Sequence, residues 1–143
     1  MKIRLMTIDD YDGAIKLWHN TPGMGLNDAD DSREGIEKYL ARNPSTCFVA
    51  VDGGAVVGTI MSGHDGRRGF IIHTAVAQSH QRQGVGKALA NAAVAALSAE
   101  GITKAALVAY SANAIGNDFW EKQGFLARTD LTYRDKIIGG YDK

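Results

Sequence analysis

The sequence predicts an α+β fold: one domain over residues 1–143, with four helices packed on a mixed, mostly antiparallel sheet of about six to seven strands. Three observations carry this reading. The apolar spacing switches from a helical period to alternation near Thr46. Three extended runs then follow one another through Gly-containing turns, as hairpins do. After them, extended and helical patterns alternate to the end of the chain.

In order, Lys2 to Thr7 alternates Ile3 and Leu5 with Lys2 and Arg4 and reads as a strand. Thr7 or Asp9 supplies a capping oxygen for a helix whose stripe is Tyr11, Ala14, Ile15 and Trp18. Asn20-Thr21-Pro22-Gly23 ends it, Gly23 to Asp31 is a loop, and Ser32 caps a second helix burying Ile36, Tyr39 and Leu40. Cys47 to Val51 and Ala55 to Ser62 are strands joined at Asp52-Gly53-Gly54. Phe70 to Val76, interrupted only by His73 and Thr74, is a third strand, apolar enough to be covered on both faces. A long helix follows with Val85, Ala88, Leu89, Ala92, Ala93, Ala96 and Leu97 on one face, closed by Gly101. Lys104 to Ala109 is a strand, Ala112 to Gln123 a helix, and Ala127 to Ile138 one or two last strands.

Composition narrows the function classes. Sixteen basic and sixteen acidic side chains cancel, so no chain-wide cationic field invites nucleic acid. The single cysteine, Cys47, excludes an intrachain disulfide and a multi-cysteine metal cluster. His19, His64, His73 and His80 have no ligand spacing, so no metal is expected. No apolar run approaches the ~18 residues of a spanning helix, and Met1-Lys2-Ile3-Arg4 leads into no signal-like stretch. A soluble, cytoplasmic protein without a membrane partner is therefore expected. The neutral total hides an asymmetry: Asp9 to Glu37 carries eight acids and two bases, whereas Arg67 to Lys104 carries five bases and one acid.

Gln81-Arg82-Gln83-Gly84-Val85-Gly86-Lys87 lies between an apolar strand and an amphipathic helix, where free first-turn amides and the helix dipole favour an anion. Glycines let backbone approach the ligand, and Arg82 and Lys87 add charge. It is not a Walker loop, because Gln81 stands at the first glycine position and Ala88 follows Gly86-Lys87. Nor is it a dinucleotide fingerprint, because Leu89 stands where the third small residue belongs.

The pattern Gln81-x-x-Gly84-x-Gly86 after a strand and opening a helix resembles the acyl-coenzyme A pyrophosphate loop of the GNAT N-acetyltransferases. Asn113 through Phe125 resembles that family's second motif, an Asn followed by Phe-Tyr-Glu-Lys-x-Gly-Phe. Gly58-Thr59-Ile60-Met61 and His64-Asp65-Gly66-x-Arg68-Gly69 look nearest to its small bacterial YpeA-like members. The resemblance implies an α/β/α layered acyl-CoA N-acyltransferase fold and an enzyme that moves an acetyl group from acetyl-CoA to a primary amine of a small molecule, peptide or protein. It implies that the pantetheine arm lies along Thr74, Ala75 and Val76, in a gap between splayed strands, and that Asn113 meets it. The pyrophosphate would rest on Gln81, Arg82, Gln83, Gly84, Val85, Gly86 and Lys87.

One departure concerns the proton for the leaving thiolate. The tyrosine that often gives it in the family is Trp120 here, and an indole donates a hydrogen bond but does not titrate. Trp120 is then a packing group around the coenzyme arm, and Tyr110 or Ser111 is a substitute acid. The same departure favours an alternative, a non-catalytic acyl-CoA-binding sensor or scaffold. His73 is the candidate base, since imidazole takes up protons near neutral pH; a core histidine is the competing reading, because a strand bulge would undo the alternation that decides its face. Asn27 and Asp28, with Asp30 and Asp31, in the loop expected to flank the acceptor, are candidates for drawing in a cationic amine; capping of the second helix by a solvated acidic loop is the competing reading. The strands expected around Thr129 to Ile138 would suit a homodimer.

Overall fold

In the computed structural model, which describes residues 1–140, five strands lie side by side in chain order. They are β1 (Lys2–Leu5), β2 (Phe48–Asp52), β3 (Ala55–His64), β4 (Gly69–Val76) and β5 (Ala105–Ala106). Neighbours are antiparallel except β4 and β5, which are parallel because a helix carries the chain back between them. The helices are α1 (Tyr11–His19), α2 (Asp28–Asp31), α3 (Arg33–Arg42), α4 (Val85–Ala99) and α5 (Ala114–Lys122).

The two sheet faces hold two cores. On one, Trp18, Leu17 and Ala14 of α1 and Ile36 and Leu40 of α3 meet Cys47, Val49 and Met61. On the other, Val85, Leu89, Ala90 and Ala93 of α4 meet Ala50, Val57, Ile60 and Ile71, with Phe119, Trp120 and Phe125 of the α5 region closing over them. This is the α/β/α layering. Helix α4 sits close because its contacts are small and because β3 gives way: a Cβ at Gly58 would lie 2.9 Å from a Leu89 methyl. At the opposite end, Arg4 makes a bidentate pair with Asp10 (2.7 and 2.9 Å), whose carboxylate also accepts the Thr7 amide (2.9 Å). Thr7 is thus the N-cap of the short 3-10 turn Ile8–Asp10 that leads into α1, and Asp10 supplies the reciprocal half of its capping box.

Several expectations are corrected. Among the described residues the sheet has five strands rather than six or seven. The segment Ala127 to Ile138 forms no strand; it is exposed, with a turn at Thr129-Asp130 tied by Arg128 to Asp130 (2.8 Å). The expected strand Lys104 to Ala109 shrinks to two paired residues, Gly69↔Ala105 and Phe70↔Ala106, after which the chain leaves β4. A strand needs a neighbour, and β5 is too short to offer the next one an edge. Phe70 is exposed rather than covered on both faces. Among the described residues there are five α-helices rather than four helices: within the expected Gly23 to Asp31 loop, Asn27 Oδ1 accepts the Asp30 amide (2.8 Å) and starts the single turn of α2. On α4, Ala90 is buried and Ala88, Ala92 and Ala96 are only half-buried.

The feature that shapes the site is a bulge. Thr59 pairs with Ala75 and Met61 with Ile72, so β4 has one residue more than β3 between these pairs. His73 takes up the excess at φ +48°, a left-handed conformation rare for a side-chain-bearing residue. The turn is held from below: the Thr59 hydroxyl donates to the His73 carbonyl (2.8 Å) and accepts from the Trp18 indole (2.8 Å), with Thr59 fully buried. Thr59→Val leaves both partners unpaired in the interior. We expect a loss of about 2–4 kcal/mol in urea denaturation; a loss below ~0.5 kcal/mol would show that the bulge is held by other means.

Candidate active site

The bulge decides where His73 points. Ile71, on the α4 face of β4, would by strict alternation put His73 on that face as well. Instead Ile72 and Ala75 pack with the α1 core, and the His73 ring sits edge-on to Trp18, centroids 4.7 Å apart. There its Nε2 lies 2.5 Å from Oδ1 of Asp31. Asp31 is buried at the end of α2; its other oxygen accepts the Asn27 amide (2.8 Å), and its carbonyl accepts the Tyr11 hydroxyl (2.7 Å). A carboxylate only accepts, so Nε2 carries the hydrogen and Nδ1 is the ring atom left for other work. Among the described residues Nδ1 has no hydrogen-bond partner.

His73 and Asp31 line a cleft of about 650 Å³. One wall is Phe70 to Thr74 of β4; facing it are Leu107, Val108 and Ala109, where the chain has parted from the sheet. Beyond His73 the cleft reaches α2 and α3, at Asn27, Asp30, Lys38 and Arg42. Asn113 and Trp120 border it from the α5 side. Asn113 caps α5, its Oδ1 accepting the Gly116 amide (3.0 Å), which leaves the side-chain NH₂ toward Gly23. Trp120 stands edge-on to Phe119 (4.9 Å) and Phe125 (5.1 Å). The Thr74 hydroxyl is buried with no partner among the described residues. Asp28 does not line the cleft; Asp30 and Asp31 are its acids. Tyr110 also lies outside the lining, 57% exposed, with its hydroxyl against Gly25.

Past the end of β4, Arg82 and Gly84 both adopt left-handed backbone, at φ +63° and +81°. The first bond of α4 runs from the Ala88 amide to the Gly84 carbonyl (3.0 Å), and among the described residues the amides of Arg82 through Lys87 have no acceptor. A side chain at Gly84 would project into open space, so a ligand can approach here. Gln81 and Gln83 brace the loop on the carbonyls of Val76 and Ser79 (3.3 Å each).

Residues 12–125 match the acetyltransferase (GNAT) family model. The chain belongs to the GNAT acetyltransferase family. An acetyltransferase of Photorhabdus laumondii is 35% identical over 108 residues, which cover 76% of this chain and 74% of that protein. The structure of Ard1 from Thermoplasma volcanium has the same fold, with a TM-score of 0.78 and 21% identity over 87% of this chain and 82% of that one. The PaiA N-acetyltransferase of Thermoplasma acidophilum, solved in complex with coenzyme A, superposes with a TM-score of 0.73 and 18% identity over 85% of this chain and 86% of that one. This acetyltransferase is an enzyme whose cleft runs from a sheet gap to a histidine–carboxylate pair.

Sequence reasoning overlooked Asp31 as the partner of His73. A cluster of neighbouring acids carries no mark of which one turns inward. It also overlooked Lys38 and Arg42, whose helical spacing reads as a solvated face. Cys47, though close in sequence to the site elements, is not a nucleophile: burial pushes its thiol up to about 12, and its S–H points at the Ser62 carbonyl (3.4 Å). We expect the native enzyme at pH 8 to resist iodoacetamide while the unfolded chain takes up one equivalent. Rapid labelling in the folded state would show that Cys47 is accessible.

Proposed function

We propose that this acetyltransferase transfers an acetyl group from acetyl-CoA to a primary amine by direct attack within a ternary complex, and that it works in the cytoplasm. The observation that carries the reading is continuity: one cleft joins a wall of unpaired strand backbone to His73, with the unsatisfied amides of Arg82 to Lys87 just past the end of that strand. The residues fit the coenzyme. Those amides, with Arg82 and Lys87, suit a pyrophosphate. The edge of β4 from Thr74 through Ala75 to Val76 suits a pantetheine arm, and the orphaned Thr74 hydroxyl gains a partner when a polar ligand enters. Ala75 buries its side chain on the α1 side, which leaves its backbone for that contact. Asn113 offers its free NH₂, and Trp120 an apolar wall.

Acetyl-CoA supplies the activated carbonyl; the chain's own residues handle the proton. An ammonium acceptor must lose a proton before it attacks. Asp31 fixes the Nε2–H tautomer of His73 and stabilises the imidazolium that forms, so Nδ1 takes the proton. Trp120 cannot protonate the leaving thiolate. Tyr110, at the rim, would need to move to do so, and a thiolate leaves without such help. The buried Cys47 gives no support to an acyl-enzyme route.

Gly84→Trp is expected to raise the dissociation constant for coenzyme A at least about tenfold while the circular dichroism spectrum is retained; unchanged affinity would remove the loop from the site. His73→Gln and Asp31→Asn should each lower kcat by about 10²-fold or more, the range for a lost general base. In His73→Gln the acid limb of the pH–rate profile should vanish. A wild-type profile in that variant would return His73 to a packing role. Tight coenzyme binding without amine-dependent release of coenzyme A, across a broad amine panel, would favour a holding module instead.

A further inference from the structure

Of the two acids of the cleft, Asp31 is committed to His73 while Asp30 meets only a neutral amide, and the cations of the cleft have no acidic partner among the described residues. Asp31 is held by His73 and by the Asn27 amide, and Asp30 accepts from the Asn27 side chain (3.2 Å). Lys38 and Arg42, four apart on one face of α3, both line the cleft. Among the described residues neither has an acidic partner. Glu34 stands four residues before Lys38, at ion-pair spacing, yet the pair is not made. The dipole of α3 accounts for Arg42 in its last turn but not for Lys38 a turn earlier. Two like charges at this spacing repel, so the arrangement costs stability unless an anion enters between them.

The cleft is therefore dipolar: negative at α2, beside His73, and positive along α3. We infer that the acceptor is an amine that also carries an acidic group, a carboxylate or a phosphate, and that Lys38 and Arg42 bind this group while the amine lies at His73 and Asp31. This rests on the amine-acetyltransferase reading and narrows it. A polycation is opposed by the same two side chains.

The test uses matched acceptors with acetyl-CoA: amino acids against their amides, and amino sugar phosphates against the free amino sugars. The wild-type enzyme should prefer the acidic member of at least one set by about tenfold or more in kcat/KM, as a charge-assisted contact allows. Which set responds separates carboxylate from phosphate. In a Lys38→Gln/Arg42→Gln double variant the preference should fall toward one, through the acceptor KM. Preference for the neutral members, or for polyamines, overturns the inference, as does a ratio unmoved in the double variant. If no amine turns over, the failure lies with the acetyltransfer reading. Calorimetry with coenzyme A bound then decides the subsite: the acidic members should bind wild type and lose at least about tenfold in affinity in the double variant, and no binding overturns it.

Discussion

A hydroxyl with two obligations organises this molecule. Thr59, sealed beneath β4, receives the Trp18 indole hydrogen and gives its own to the carbonyl of His73. A fully extended β4 would have no residue to spare opposite Ile60; the bulge provides one and turns its side chain across the sheet. Left-handed backbone at a histidine costs on the order of 1–3 kcal/mol and persists only where the surroundings enforce it. Here they do, through a buried hydrogen-bond chain from α1 across β3 to β4. The consequence is chemical. The imidazole leaves the α4 face, where it would be an awkward core residue, and meets Asp31 at the floor of the cleft.

The second consequence is the gap itself. Paired to β3 on one side, β4 keeps β5 for two residues only, and beyond Phe70 its other edge faces the cleft rather than a strand. Unpaired strand edge is costly in a closed interior and useful where an extended ligand can complete it. The same parting deprives the last segment of an edge to join, so Ala127 to Ile138 stays outside the sheet. The loop after β4 extends the logic, since two left-handed residues and an uncapped helix start leave amides bare where an anion can dock.

Charge placement shows why counting along the chain misleads. The acidic run from Asp9 to Glu37 suggests a cation-attracting surface, yet its members have different duties: Asp10 pairs with Arg4, Asp31 pairs with His73, and Asp28 does not line the cleft. The field a ligand meets depends on which charges lack a partner, and in the cleft Lys38 and Arg42 have no acidic partner among the described residues.

Periodicity was enough to find α1, α3, α4 and α5 and the hairpins of the sheet, because a buried stripe or face must recur at the spacing of its backbone. Spacing also marked the glycine loop as an anion site, because few residue types let backbone approach an anion at a helix start, while the family entered through the resemblance of that loop and of the Asn113 to Phe125 segment to known motifs. What alternation could not reveal was the direction of His73, the partnership with Asp31 forty-two residues away, and the failure of the last strands to pair. Each of these depends on whether a neighbour stands at a given edge or beneath a given residue, and that is settled only when distant segments compete for the same space and the same hydrogen bonds.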